Sequence, residues 1–395
     1  MTDFDEIIER GSTDSLKYDF ASHRGMPDGL LPLWVADMDF RTAPCVVEAL
    51  VDKSRHGIFG YSESREDYFE ALQSWFSLRF GWDIKPEWLI KTPGVVFAIY
   101  AAIRALTQEG DAVLIQQPVY YPFAEAVRAN SRELAVNELV YSGGRYHINF
   151  EDFERKITER RVKLFVLCSP HNPVGRVWTK DELIRMGDIC VKHGVLVVSD
   201  EIHADFVYPG FVHTVFASLK PAFADIAVTC TAPTKTFNLA GLQISNILIS
   251  NQAIRTRIHQ EILRTGGGLV NAMGIVACRA AYAQGEAWLD ELKTYLNGNL
   301  VFLREFIRAR IPSVRLVEPE GTYLVWLDFH ALGLDDKALD DLIIHRAKLW
   351  LDGGTMFGQG GSGFQRINIA CPRSLLTQAL KQLEAAISGC QPSKQ

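Results

Sequence analysis

No stretch of this 395-residue chain approaches the roughly 20 consecutive apolar residues that a membrane-spanning helix needs, and no block of lysines or arginines stands anywhere in it. The formal net charge is −6. An electrostatic footprint for nucleic acid or an anionic membrane is therefore missing, and small-molecule partners are expected. The seven cysteines (45, 168, 190, 230, 278, 371 and 390) contain no Cys-x-x-Cys pair and no Cys/His cluster at zinc spacing. That removes a disulfide framework and a zinc site, and no metal is expected. The opening MTDFDEIIERGSTDSLKYDF is acidic and polar, unlike the basic-then-apolar order of a secretory leader. A cytoplasmic location, where scattered thiols stay reduced, is expected. Repeats, low-complexity tracts and glycine- or proline-rich linkers are missing too, so no domain boundary announces itself.

What is present is alternation. The composition, 48% hydrophobic and 22% charged, is that of a globular chain able to bury a large core. Short apolar runs (AVLIQQ, KLFVLCS, VLVVSD, IAVTCT, NILIS) are separated by segments of helical periodicity such as EDFERKI, KDELIRMGDICVKHG and NQAIRTRIHQEIL. Continuous apolar runs between helices predict an α/β fold, a mainly parallel sheet sandwiched by helices, over 46–285. From 286 onward a long helical segment is followed by VRLVEPEGTYLVWLDF, ALDDLIIHRAKLWLDGG and FQRINIAC, which predicts a smaller α+β domain over 286–395.

Ligands of open α/β sheets bind beyond the carboxyl ends of the strands, so the exits are where chemistry is expected. AVLIQQ runs into Tyr120 and Tyr121, KLFVLCS into Asn172 of HNPVG, VLVVS into Asp200 and His203, and IAVTCT into Lys235 of APTKTF. Each has a plain explanation by itself: Asn-Pro is turn chemistry, tyrosines beside prolines pack, and a loop lysine is usually solvated. Asp200 is harder to dismiss, because an acid that follows four apolar residues needs a cation or several donors.

An amine, a carboxylate, an amide and an aromatic face on one edge suit pyridoxal phosphate. Lys235 supplies the imine, Asp200 holds the ring nitrogen protonated, Asn172 donates to the phenolate oxygen, and Tyr120 stacks on the ring. The phosphate fits the backbone donors of Gly94, Val95 and Val96, where Pro-Gly opens the helix of KTPGVVFAIYAAIRAL, with Thr234 adding a hydroxyl. Gly266–Gly268 is a rival phosphate loop but lacks the adjoining strand and helix. Arg366, at the start of the late strand in GFQRINIAC, has the planar fork that suits an amino acid's carboxylate. Trp34, Tyr121 and the surroundings of Phe357 are candidates for the distal end of the substrate.

Asn-Pro-x-Gly, the strand-end Asp, Thr-Lys and the late Arg, in that order, resemble the aspartate-aminotransferase superfamily of pyridoxal-phosphate enzymes (fold type I) over nearly the whole chain. LPLWVADMDF, FGYS, DEIHADF and TKTFNLAGLQ resemble its branch of bacterial cystathionine β-lyases and C–S lyases. The resemblance implies that residues 1–45 pack with the small domain and that the loop around Ala36 and Asp37 closes over substrate. It implies that His203 lies by the cofactor, that Arg366 binds the α-carboxylate, and that catalytic Tyr61 reaches into a neighbouring subunit, making a homodimer with shared active sites. His203, Gln243 and Ala232 depart from the wider superfamily, which often has a tyrosine, an arginine and a serine there. The implied activity is β-elimination from L-cystathionine or a related S-conjugate to a thiol, pyruvate and ammonia. An aminotransferase and a regulatory protein that retains the cofactor are the alternatives.

Overall fold

The apolar runs Leu164–Cys168 and Ala227–Thr231 are buried at every position, as strands covered on both faces must be. They belong to a seven-stranded sheet in the computed structural model, which describes residues 2–389, so Cys390 lies outside the described residues. In chain order its strands are β1 (Leu89–Thr92), β2 (Ala112–Gln117), β3 (Glu133–Glu138), β4 (Leu164–Cys168), β5 (Leu196–Asp200), β6 (Ala227–Thr231) and β7 (Ser245–Leu248). Their spatial order is β1-β7-β6-β5-β4-β2-β3. β6 through β3 run parallel, while β7 is antiparallel to both of its neighbours. The connection from β6 to β7 carries the Lys235 turn rather than a covering helix, so the chain doubles back.

Two reversals restore direction. β1 therefore points the same way as β6, and Thr92, Gln117, Cys168, Asp200 and Thr231 all leave the sheet at one edge.

Helices cover both faces. Lys180–His193 begins with a capping box, Thr179 accepting from the Glu182 N–H and Glu182 reaching back, and ends at Gly194 in the left-handed region. The helix Glu286–Arg310 buries Leu289, Leu292, Leu296, Leu300, Leu303 and Ile307 at three- and four-residue spacings, one amphipathic stripe.

Beyond it lies an antiparallel sheet of β8 (Arg315–Val317), β9 (Leu324–Asp328), β10 (Asp352–Gly353) and β11 (Phe364–Asn368), ordered β8-β9-β11-β10. Leu31–Pro32 pairs in parallel with Leu349–Trp350, which carries the segment 33–40 across toward the open edge of the large sheet.

Candidate active site

Lys235 sits one turn beyond β6, in a four-residue helix that Pro233 opens with its fixed φ. Its Nζ donates to the Ala36 carbonyl at 2.6 Å. Burial lowers the ammonium's proton affinity to about 8; the Arg366 cation pushes the same way, and Asp37 and Asp200 oppose it. The amine therefore gives up its proton far more readily than a solvated lysine would.

Asp200 ends β5 almost fully buried, and its carboxylate accepts one backbone N–H, that of Ile202 at 3.1 Å. Burial pushes its proton affinity up to about 7, against the pull of Ile202 and Lys235, with Glu201 adding to the rise. Among the described residues no cation forms an ion pair with this carboxylate, Lys235 acting on it only at longer range. Glu201 beside it faces a different set: Ser199, His213 and the Phe216 N–H.

Asn172 turns its Oδ1 to Arg366, at 2.9 Å, which leaves its amide nitrogen to donate elsewhere. Tyr120 is tied to the same loop by its N–H on the Asn172 carbonyl at 3.1 Å. His203 is buried with its Nδ1 unpartnered among the described residues, and burial holds its proton affinity down to about 3, so the ring is neutral.

Gly94, Val95 and Val96 open the helix Val95–Leu106, whose N-terminus has no side-chain cap, and a Cβ on Gly94 would meet nothing within 4 Å. That is an open cradle of N–H groups on the ligand edge. Thr234 is buried beside Lys235. Gln243 is exposed. Of the triple glycine, Gly267 packs against Ile262 and Phe97, while Gly266 and Gly268 are exposed at positive φ, 73° and 132°.

Arg366 reaches the site from β11. One guanidinium nitrogen donates to Asn172; the other takes the Trp34 carbonyl at 2.8 Å and a buried ion pair with Asp352, its cross-strand neighbour. The guanidinium carbon lies 4.9 Å above the Phe357 ring, and Nε has no partner among the described residues. Tyr121 meets Phe357 edge-on at 6.4 Å, and Trp34 stacks on Trp350 at 4.5 Å.

Sequence reasoning missed the residues that hold the 33–40 segment. Asn238 takes the Met38 N–H and donates to the Met38 and Phe40 carbonyls; Asn368 donates to those of Val35 and Asp37. Arg10 binds Asp37 and Asp39, at 2.7 and 2.6 Å, and Lys17, fully buried, binds Asp39 at 2.8 Å. The Asp37 carboxylate thus faces Arg10 and Lys17, while Ala36 faces Lys235. Tyr61 stands apart from all of these, its side chain 99% exposed.

These side chains fit pyridoxal phosphate: Asp200 wants a cation, His203 and Arg366 keep buried unpartnered nitrogens, and the Gly94 cradle has room for an anion. Comparison with known proteins agrees. Cystathionine beta-lyase PatB of Bacillus subtilis (strain 168) is 44% identical over 98% of this chain and 100% of its own length. Protein MalY of Escherichia coli (strain K12) is 35% identical over 98% of this chain and 99% of its own. The crystal structure of cystalysin from Treponema denticola, which contains a pyridoxal 5'-phosphate cofactor, superposes with a TM-score of 0.96 at 39% identity, covering 99% of this chain and 100% of that one. The family model "Aminotransferase class I and II" matches residues 29–383, and with Lys235, Asp200, Asn172 and Arg366 gathered on one sheet edge, the chain belongs to that family.

Proposed function

We propose that the protein is a pyridoxal-phosphate-dependent C–S β-lyase that cleaves L-cystathionine or a related cysteine S-conjugate to a thiol, pyruvate and ammonia. The observation that carries this reading is Lys235, an amine with proton affinity lowered to about 8 that shares one edge with Asp200 and Arg366. Relatives named as cystathionine β-lyases support elimination as the outcome.

Bound pyridoxal phosphate supplies the sink for the electron pair left at Cα when its proton is removed. Lys235 would tether it, Asp200 would face its ring nitrogen, Asn172 its phenolate oxygen, and Tyr120 and His203 its ring. Gly94, Val95, Val96 and Thr234 would hold the phosphate. Arg366 binds the substrate α-carboxylate, with the Ala36–Asp37 segment closing over it. Lys235 Nζ, once free and neutral, takes the Cα proton as general base. The Cβ–S bond then breaks, and the departing sulfur takes a proton from Nζ or from Tyr61 of a second copy. The remaining three-carbon fragment hydrolyses to pyruvate and ammonia.

Tyr61 belongs to an exposed apolar run with Ile58 and Phe59, 66% and 61% exposed, which supports a homodimer with shared sites. The chain divides, in this reading, into a cofactor-binding domain over 46–285 and a small domain of 286–395 with the first 45 residues against it. Among the described residues no helix is long and apolar enough to cross a membrane, and the six cysteines described are free, which supports a cytoplasmic site of action.

The test is an absorbance spectrum of the purified protein, followed by L-cystathionine with no 2-oxo acid while thiol and pyruvate are measured. A visible cofactor band with both products is expected. Turnover only on adding a 2-oxo acid would make the protein an aminotransferase.

A further inference from the structure

The Ala36 carbonyl accepts two hydrogen bonds: from Lys235 Nζ at 2.6 Å and from the Tyr323 hydroxyl at 3.1 Å. Tyr323 is wholly buried, and its ring is fixed edge-on against Phe206 at 4.9 Å and His203 at 5.9 Å. The backbone that delivers it is strained. Thr322, the residue before it, is β-branched yet sits at φ 68°, where such side chains are outliers. Its N–H is taken by the Phe206 carbonyl at 2.8 Å, and its hydroxyl bridges to both backbone groups of Leu324. Gly321 is packed so closely that a Cβ would lie 2.7 Å from the Phe206 carbonyl oxygen and 2.8 Å from Val177. Glu320 ties the same segment to the Asn172 loop through Arg176 and the Val177 N–H. The turn is thus held from three directions, and the tyrosine that follows it has its hydroxyl on the Ala36 oxygen.

We propose that Tyr323 is a positioning residue for Lys235: its hydroxyl fixes the Ala36 carbonyl, and that carbonyl in turn holds one amine N–H so that the nitrogen lone pair is aimed at the substrate's Cα proton. A carbonyl oxygen has two lone pairs, and here both are assigned. Tyr323 also draws on the oxygen that would stabilise a charged Lys235, so it favours the neutral amine. The other groups acting on Nζ are Asp37 from the 33–40 segment, Asp200 from β5 and Arg366 from β11, with neutral His203 alongside. The proposal rests on the reading of Lys235 as the proton-moving base.

The experiment compares Tyr323→Phe with wild type and with Asn238→Ala, which loosens the same segment without touching the Ala36 oxygen. In cofactor-free protein, the pH dependence of reductive methylation at Lys235 with formaldehyde and borohydride is followed by mass spectrometry; in holoenzyme, kcat and KM for L-cystathionine are measured. Tyr323→Phe is expected to shift the labelling curve to higher pH and to lower kcat about three- to tenfold with KM little changed, the worth of one neutral hydrogen bond. Asn238→Ala is expected to leave the labelling midpoint in place. A Tyr323→Phe midpoint equal to wild type, or a shift that Asn238→Ala reproduces, overturns the proposal. The labelling arm is read without turnover, so wild type that labels as expected but releases no thiol refutes the lyase reading and leaves this test standing.

Discussion

Arg366 Nη1 donates to Asn172 Oδ1 at 2.9 Å, so the group read as holding the substrate carboxylate also orients the amide read as facing the cofactor. Substrate and cofactor contacts are thereby coupled through one guanidinium. Lysine keeps the charge but cannot span Asn172, Asp352 and the Trp34 carbonyl at once. Arg366→Lys is expected to lower kcat/KM about 10- to 150-fold, mostly through KM, as loss of charge-assisted hydrogen bonds predicts. Arg366→Ala should in addition cost about 3–5 kcal/mol of stability by stranding buried Asp352. Steady-state kinetics with chemical denaturation of both variants checks this; an unchanged KM in Arg366→Lys counts against the carboxylate role.

Asp200 makes the cofactor-free protein pH-sensitive. Its folded proton affinity is raised from 3.8 to about 7, so the folded state binds the extra proton between those values. The stability of the neutral form is fully present below pH 3.8 and is lost as pH rises to about 7. Asp200→Asn, which cannot ionise, is expected to melt higher than wild type at pH 8 without cofactor, with a smaller gap at pH 5. Pyridoxal phosphate should then stabilise wild type more than the variant, because only wild type offers a carboxylate to the ring nitrogen. Thermal melts at both pH values, with and without cofactor, decide it; a gap that does not change with pH is the contrary result.

Asp200 was legible because it ends an apolar run, where an acid needs a reason, and Asn172, Lys235 and Arg366 because they complete with it one set of groups suited to a single ligand. Their convergence followed from one rule about parallel strands, and the reversed strand β7 did not disturb it because β1 reverses again. Arg10, Lys17 and Asp39 were not legible. They lie in irregular chain without periodicity, and their partnership depends on how that chain is draped. Asn368 gave a signal that could have been read: an asparagine inside INIA is buried and must spend its amide on something, here the Val35 and Asp37 carbonyls. Tyr323 gave none, since GTYLVWLDF reads as one more buried strand and only the position of Ala36 distinguishes its hydroxyl.

Asp37 is expected to act through the segment it anchors. Arg10 and Lys17 hold its carboxyl below the usual range although burial opposes them. A depressed affinity contributes stability above pH 3.8 that is lost as pH falls through the folded value. Asp37→Asn should therefore lower the melting temperature at pH 7, with the deficit narrowing under acid. Lys17→Met, which leaves Arg10 as the cation on buried Asp39, should cost about 1.5–3 kcal/mol, the worth of one charge-assisted hydrogen bond. Differential scanning calorimetry carried from pH 7 down to about pH 2, through and below the ordinary carboxylate value of 3.8, reads both; a deficit for Asp37→Asn that stays the same down to the acid end contradicts the ion-pair account.

Tyr61 offers a test of shared sites that does not depend on the details of the chemistry. The residue is 99% exposed, with Ile58 and Phe59 exposed beside it. If it completes a second copy's site, Tyr61→Phe and Lys235→Ala damage different halves of one assembly. A mixed dimer of the two variants then contains one site with both residues altered and one with both intact. Random exchange gives mixed dimers half the time, so refolding the inactive variants together should restore about one quarter of wild-type activity. Refolding either alone should restore none beyond its own residual rate. Recovery in the mixture, measured as thiol released from L-cystathionine, requires Tyr61 to act across the interface; a mixture no more active than the mean of its parts would place its role within its own chain or remove it from the site.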